Sequence, residues 1–174
     1  MSRTVTLVNE LGDPIGRCEI VEAHSGEGRL HKAFSVYVLR KNGTEILIQK
    51  RSDKKMLWPL IWANTCCSHP LENEAPKAAG ERRLREELGF SCALRPVTEF
   101  VYRALDPYGK GVEHEHVTIL RGDADGAVVQ ADPAEVAEWK WVNVKDLQKE
   151  VKENPSRYAP WFHQGLDLLL SFPA

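Results

Sequence analysis

Apolar and polar positions alternate with period two in T-V-T-L-V-N, Thr4 to Asn9, as they do in an edge strand, and L-G-D-P-I-G after it reads as a turn. The same alternation predicts strands over Phe34 to Arg40 and Glu45 to Arg51, joined by K-N-G-T, whose Asn-Gly pair marks a hairpin. Trp62 to Pro70, W-A-N-T-C-C-S-H-P, reads as a further strand. The period changes at Asn73. Asn73 offers a cap, Pro76 falls in a first turn where its missing N–H is tolerated, and the run closes at Gly89, predicting a helix over Glu74 to Leu88. Strand character returns over Ser91 to Ala104, His114 to Gly122 and Glu138 to Val142. Asn143 then caps V-K-D-L-Q-K-E-V, and residues 155–170 read as a last helix interrupted at Pro160. The order implies an α/β protein of the α+β type, a mixed sheet with helices packed on it, without repeats or linkers.

Length and charge narrow the function classes. The 174 residues suit a single domain, residues 1–174, with its own core. With 23 basic and 25 acidic side chains the net charge is −2, which argues against a general nucleic-acid or membrane surface. An anion site must then be built locally. The one late apolar run, L-D-L-L-L-S-F, is far too short to span a bilayer, and a cytoplasmic location is expected. Cys18, Cys66, Cys67 and Cys92 are expected to stay reduced, since adjacent cysteines are poorly placed to bridge each other.

Three stretches carry candidate chemistry. If Trp62 to Pro70 is a continuous strand, Thr65, Cys67 and His69 share one face, and Asn64, Cys66 and Ser68 the other. Two buried small residues beside a satisfied histidine would explain that segment equally well. In E-H-E-H, Glu113 and Glu115 fall in line with Val117 and Ile119, so the glutamates face inward. Paired inward carboxylates are tolerated when a cation lies between them or one is protonated; an exposed edge strand with solvated side chains is the alternative. His24, His31 and His69 join the two glutamates as a nitrogen and oxygen donor set suited to Zn²⁺ or Mn²⁺, with none of the spacing of a structural zinc knuckle. The helix run E-R-R-L-R-E-E-L-G-F could be a solvated face. Arg83 and Glu87, four residues apart, also suit a phosphate grip and a carboxylate for its Mg²⁺. Lys50, Arg51, Lys54 and Lys55 add a basic group next to the cysteine strand.

S-H-P-L-E-N-E-A-P-K-A-A-G-E-R-R-L-R-E-E-L-G-F resembles a degenerate Nudix box. Glu74, Arg82, Glu86, Glu87 and Gly89 match that pattern, Ser68 replaces its first glycine, and Arg83 replaces a glutamate of the acidic set. With R-L-H-K-A-F-S, L-W-P-L-I-W-A-N-T-C-C-S-H-P, Y-R-A and E-H-E-H, nearly the whole chain resembles the type 1 isopentenyl diphosphate isomerases. The resemblance implies a Nudix fold, a mixed β-sheet sandwiched between α-helices. It implies Cys67 and Glu115 as the catalytic pair, assisted by Tyr102, and His24, His31, His69, Glu113 and Glu115 around a transition ion. Glu87 would hold Mg²⁺ on a substrate diphosphate contacted by Arg51, Lys55, Ser68 and Arg83, with Trp161 closing the pocket. Ile20 stands where the family often has a lysine.

The implied reaction shifts a double bond by protonation to a tertiary cation and deprotonation, with Glu115 donating and Cys67 thiolate accepting. The expected partner is an allylic or homoallylic diphosphate, not nucleic acid or membrane, and the expected assembly a monomer. A Nudix hydrolase cleaving a diphosphate linkage is the rival, disfavoured by Arg83. A non-catalytic metal-binding module would need the histidines but not Tyr102, Trp161 or the basic group.

Overall fold

The computed structural model describes residues 3–172. Among these residues nine strands and four α-helices follow one another as β1 (Thr4–Val8), β2 (Pro14–Glu19), α1 (Ile20–Ala23), β3 (His31–Arg40), β4 (Glu45–Arg51), β5 (Trp62–Ala63), β6 (Cys66–Ser68), α2 (Pro76–Leu88), β7 (Leu94–Leu105), β8 (Val112–Asp123), β9 (Val136–Asn143), α3 (Val144–Glu153) and α4 (Pro160–Ser171). The hub is β3. It pairs in parallel with β8 from His31 against Glu115 to Leu39 against Asp123, and antiparallel with β6, β4 and β1. Strands β7 and β8 form a long antiparallel hairpin, and β9 runs along β4.

Alternation along β3 builds two cores. Ala33, Tyr37 and Leu39 pack with Leu147 of α3 and Trp161, Phe162 and Leu166 of α4. Phe34, Val36 and Val38 pack with Ala79, Leu84 and Leu88 of α2 on the opposite face. This is the sandwich expected of a sheet whose central strands are apolar on both sides. Close approach of α4 needs Gly165, because a Cβ there would meet the Tyr37 hydroxyl at 2.1 Å.

Several boundaries differ from the sequence reading. Residues Pro14–Glu19, partly assigned to a turn, form β2, and β3 begins at His31 rather than Phe34. Asn73 does not cap α2. Its φ is 57°, and the N-cap is Ala75 without any side-chain bond, followed by Pro76 in the first turn. Glu74 instead accepts from the Leu71 N–H and holds Arg82 through two bonds of 2.8 Å, which gives these two box residues a structural role. Pro160 does not interrupt a helix; a 3₁₀ turn, Pro155–Arg157, precedes it, and Pro160 opens α4, where a proline costs no hydrogen bond. Gly89 closes α2 with a left-handed φ of 72°, and Asn143 caps α3 by accepting from Lys145 and Asp146 N–H, both as the sequence indicated. Among the described residues no helix is long and apolar enough to cross a membrane.

Candidate active site

The presumed strand over Trp62 to Pro70 is two short strands separated by a bend at Asn64 and Thr65. The bend exists because both side chains serve the backbone: the Thr65 hydroxyl donates to Leu47 O at 2.6 Å and accepts from Val38 N–H at 2.9 Å, while the Asn64 amide donates to Val36 O and Cys66 O. Simple alternation therefore fails at Asn64. Its Oδ1 accepts from Trp161 Nε1 at 3.0 Å, on the face opposite to Cys66, and so fixes the Trp161 ring. Alternation holds within β6, where Cys66 is fully buried against α2 and Cys67 opens on a cavity.

That cavity, about 210 Å³, is smaller than typical drug-sized sites of about 300–1,000 Å³ and suits a small ligand. Its walls include Arg51, Lys54, Lys55, Cys67, Ser68, His69, Arg83, Tyr102, Glu113, Glu115 and Trp161, so one space gathers most of the residues singled out from sequence. Lys50 is the exception in the basic group, pairing outside with Glu138. Cys67 lies opposite Ser35 in the row of Ile119, and Glu115 lies opposite His31. The two candidates thus stand on the same sheet face, on either side of β3, separated by the row of Ala33 and Val117.

Arg51 reaches this face through an irregularity. Straight alternation would send it with Leu47 and Gln49 towards α2, but the β4–β9 register shifts between Lys50 and Arg51, and a bulge re-aims a side chain. The guanidinium donates to Trp58 O and Leu57 O at 2.9 Å each, lies 5.3 Å from the Trp161 ring centre, and places Nη1 3.6 Å from Cys67 Sγ.

At one end of the cavity one donor atom each from His24, His31, His69 and Glu115 lies within 4.8 Å of the others, all four residues buried. Nδ1–H of His24 donates to Val112 O at 3.0 Å and Nδ1–H of His31 to Arg29 O at 2.7 Å. Those bonds fix the tautomer, leaving Nε2 of both rings as lone-pair donors, the arrangement a metal-ligating histidine requires. Burial holds His24 below its ordinary range and His69 at about 4, so these imidazoles are neutral at pH 7. The donor set therefore fits a divalent metal ion. Glu113 stands just outside the four, joined to Glu115 by Tyr102, whose hydroxyl contacts Glu113 Oε2 closely and Glu115 Oε2 at 2.8 Å.

The two glutamates differ in charge. Burial, then the charge of Glu115, pushes Glu113 up to about 8; burial also opposes ionisation of Glu115, but the neighbouring His31 and His69 imidazoles, with His69 Nε2 at 2.9 Å, overcome it and hold that carboxyl well below its ordinary range. Burial pushes the half-buried Cys67 up to about 12 against the pull of Arg51. The metal-free chain thus carries a thiol at Cys67 and a carboxylate at Glu115.

At the other end Glu87, fully buried, accepts from Gln49 Nε2 at 3.1 Å and Arg83 Nη2 at 2.5 Å, with Lys55 Nζ at 3.9 Å. Glu135 pairs with Arg83 at 3.0 Å and with Lys55. Neither Gln49 nor Glu135 was a candidate from sequence. Gln49 reads there as an ordinary polar position in a strand, and Glu135 as a solvated residue before β9. Tertiary contacts give Glu135 its place: Gln130 N–H to Leu88 O and Asp132 N–H to Glu87 O tie the segment to α2, and Ser52 N–H donates to Glu135 O at 3.0 Å.

Residues 29–162 match the NUDIX domain family. The chain is 42% identical over 164 residues to the isopentenyl-diphosphate Delta-isomerase of Nocardia farcinica, covering 94% of this chain and 93% of that protein. It is 44% identical over 163 residues to the enzyme of the same name from Burkholderia multivorans, covering 94% and 90%. In fold it is similar to DR0079 from Deinococcus radiodurans, with a TM-score of 0.75 at 17% identity over 95% of this chain and 98% of that one. A second likeness is the MutT protein of Methanosarcina mazei, with a TM-score of 0.64 at 15% identity over 79% and 91%. Those two likenesses concern the Nudix fold alone. On the family match over residues 29–162 and the identity to these relatives over more than nine-tenths of its length, the chain belongs to the isopentenyl-diphosphate Delta-isomerase family on a NUDIX domain.

Proposed function

We propose that the protein interconverts isopentenyl and dimethylallyl diphosphate, for isoprenoid biosynthesis, with Cys67 and Glu115 as its acid–base pair. The observation that carries this reading is the cavity itself, with a thiol and a carboxylate from strands on either side of β3 opening into one small space. A flat five-carbon unit between them could gain a proton at one carbon from one side and lose a proton at another to the other side. From isopentenyl diphosphate, Glu115 gives a proton to the terminal methylene and Cys67 removes one from the neighbouring methylene. The resting charges are those of the opposite direction, with Cys67 as donor and Glu115 as acceptor. One proton moved from Cys67 to Glu115 sets the forward pair; a forward turnover spends it, leaving a thiol at Cys67 and a carboxylate at Glu115, so a proton must pass from Cys67 to Glu115 again before the next.

Tyr102 donates to Glu115 and orients it. Trp161, 2% exposed and held by Asn64, presents its ring beside Arg51. An aromatic face contributes on the order of 2 kcal/mol to a desolvated cation, against at least roughly 8 kcal/mol for a typical enzymatic acceleration. Trp161 therefore assists, and anchoring of the alkene by its diphosphate and exclusion of water supply more.

His24, His31, His69 and Glu115 would hold Zn²⁺ or Mn²⁺, with Glu113 as a fifth donor once a cation displaces its proton. That ion would fix Glu115 and bias its proton affinity. Glu87 would hold Mg²⁺ with the diphosphate, and Arg51, Lys55, Ser68 and Arg83 would contact the phosphate oxygens. We take the protein to act as a monomer of one domain in the cytoplasm.

The test is to incubate the protein with isopentenyl diphosphate and Mg²⁺ in deuterated water and to follow proton and phosphorus NMR. Deuterated dimethylallyl diphosphate with its diphosphate intact is expected. Release of phosphate with the double bond unmoved would replace this reading by hydrolysis of a diphosphate linkage.

A further inference from the structure

Arg3 lines the cavity, although nothing in the sequence pattern singles it out. Its guanidinium Nη2 donates to the Ser68 hydroxyl at 2.5 Å. A neutral hydroxyl is a weak partner for a full positive charge. Apart from burial, the charges acting on it most are those of Arg83 and Arg82, which repel it, and of Glu135 and Glu87, which attract it. Both carboxylates are engaged elsewhere, Glu87 by Arg83 and Gln49, Glu135 by Arg83 and Lys55. Among the described residues Arg3 makes no ion pair within 4 Å, while it remains open to solvent as a residue at a cavity mouth must to receive a ligand.

The strand register accounts for its position. In the β1–β2 pair Thr4 lies opposite Glu19, and Ile20 N–H donates to the Arg3 carbonyl at 2.9 Å. Arg3 and Ile20 are therefore neighbours across the hairpin, and both line the cavity. Ile20 brings no charge; the residue facing it does. A guanidinium, moreover, grips two oxygens of one phosphate in a planar fork, which an ammonium cannot do.

We propose that Arg3 is a further substrate-binding residue, one that shares Ser68 with the substrate's diphosphate and supplies, from β1's side of the hairpin, the cation missing at Ile20. With Lys55 and Arg83 it closes a cradle of three cations around an anion. This rests on the isomerase reading for its choice of ligand, a diphosphate ester.

Binding of inorganic pyrophosphate with Mg²⁺ to the metal-loaded protein, measured by calorimetry, tests it apart from turnover. Arg3→Gln should weaken that binding about tenfold or more, the loss of one charged hydrogen bond, and raise KM for isopentenyl diphosphate in proportion while kcat holds. Adding Ile20→Lys to Arg3→Gln should restore affinity. Arg3→Lys, a milder change that keeps the charge, should fall between wild type and Arg3→Gln. Unchanged pyrophosphate affinity in Arg3→Gln, a loss confined to kcat, or Arg3→Lys binding no better than Arg3→Gln would overturn the proposal. Arg3-dependent pyrophosphate binding by a protein that fails to isomerise would leave the Arg3 assignment standing and remove the isomerase reading.

Discussion

Two adjacent cysteines have opposite surroundings, and that contrast gives the sharpest test at the scale of single residues. Cys66 is buried among Val36, Leu84 and Leu88, whereas Cys67 opens on the cavity beside Arg51. Cys67→Ala is expected to lower kcat by about 10²–10⁴, the range of a lost general acid or base, and Cys66→Ala to leave turnover nearly intact. Comparable losses in both would mean that the opposite facing of the two cysteines does not decide which one acts. A second test lies in the glutamate pair. In chelator-treated protein Glu113 has a folded value of about 8 against 4.5 for the free group, so across that interval the folded state holds the extra proton. Stability from this group is full below pH 4.5 and falls as pH rises towards 8. His69 acts in the other direction, its folded value of about 4 lying below 6.5, so its contribution is lost as pH falls from 6.5 towards 4. Glu113→Gln should remove the loss between pH 6.5 and 8, worth about 2 kcal/mol at most at roughly 1.4 kcal/mol per unit. Urea denaturation of both proteins at those two pH values measures it; an unchanged alkaline decline would reject the assignment. The gathering of residues at this scale was legible where residue type suggests it, as in the three histidines and Glu115 of E-H-E-H, which do converge. Arg3, Gln49 and Glu135 were not, because an arginine, a glutamine and a glutamate on the surface of a sequence look alike until their neighbours are known.

Elements were read well where periodicity alone decides them. Strand β4 and the cap of α3 were anticipated because alternation and an Asn before an amphipathic run are local signals. The bend at Asn64 and Thr65 and the register shift before Arg51 were not, since each depends on a partner strand distant in sequence. Both matter for the site: the bend sends Asn64 to Trp161, and the shift brings Arg51 to Cys67. The fit of α4 on the sheet yields a prediction about stability instead. Gly165 leaves no room for a methyl group, and the atom in the way belongs to Tyr37, a fully buried ring stacked on Phe162 that has nowhere to move. Gly165→Ala should therefore destabilise the protein by about 1–3 kcal/mol despite alanine's better helix propensity. Because Trp161 lies in the first turn of the same helix, a rise in KM should accompany the lower midpoint in denaturant. A stabilised variant would show that α4 slides without cost and that its seat does not set the cavity.

Across the whole molecule, charge is arranged so that the cavity has one end where His24, His31, His69 and Glu115 converge, proposed above for a metal ion, and another rich in paired cations, proposed for the diphosphate. The net charge of −2 concealed this, because an almost balanced composition says nothing of where the cations gather. At the cation-rich end Glu135 occupies Lys55 and Arg83, the cations assigned above to the proposed diphosphate. A ligand binding there must either displace that carboxylate or recruit Mg²⁺ to accommodate it. If displacement governs, Glu135→Gln removes one of the two carboxylates that hold these cations, leaving Glu87, and pyrophosphate should bind several-fold more tightly, with a steeper weakening by salt since less of the positive charge is already paired. Pyrophosphate with Mg²⁺ should also raise the thermal midpoint further in the variant at equal ligand concentration, because stabilisation grows with the ratio of ligand to Kd. Weaker binding in Glu135→Gln, strongest where Mg²⁺ is present, would instead make Glu135 a partner of Glu87 in holding the metal. The two outcomes differ in sign, so a single titration with and without Mg²⁺ decides whether this carboxylate guards the cradle or belongs to it.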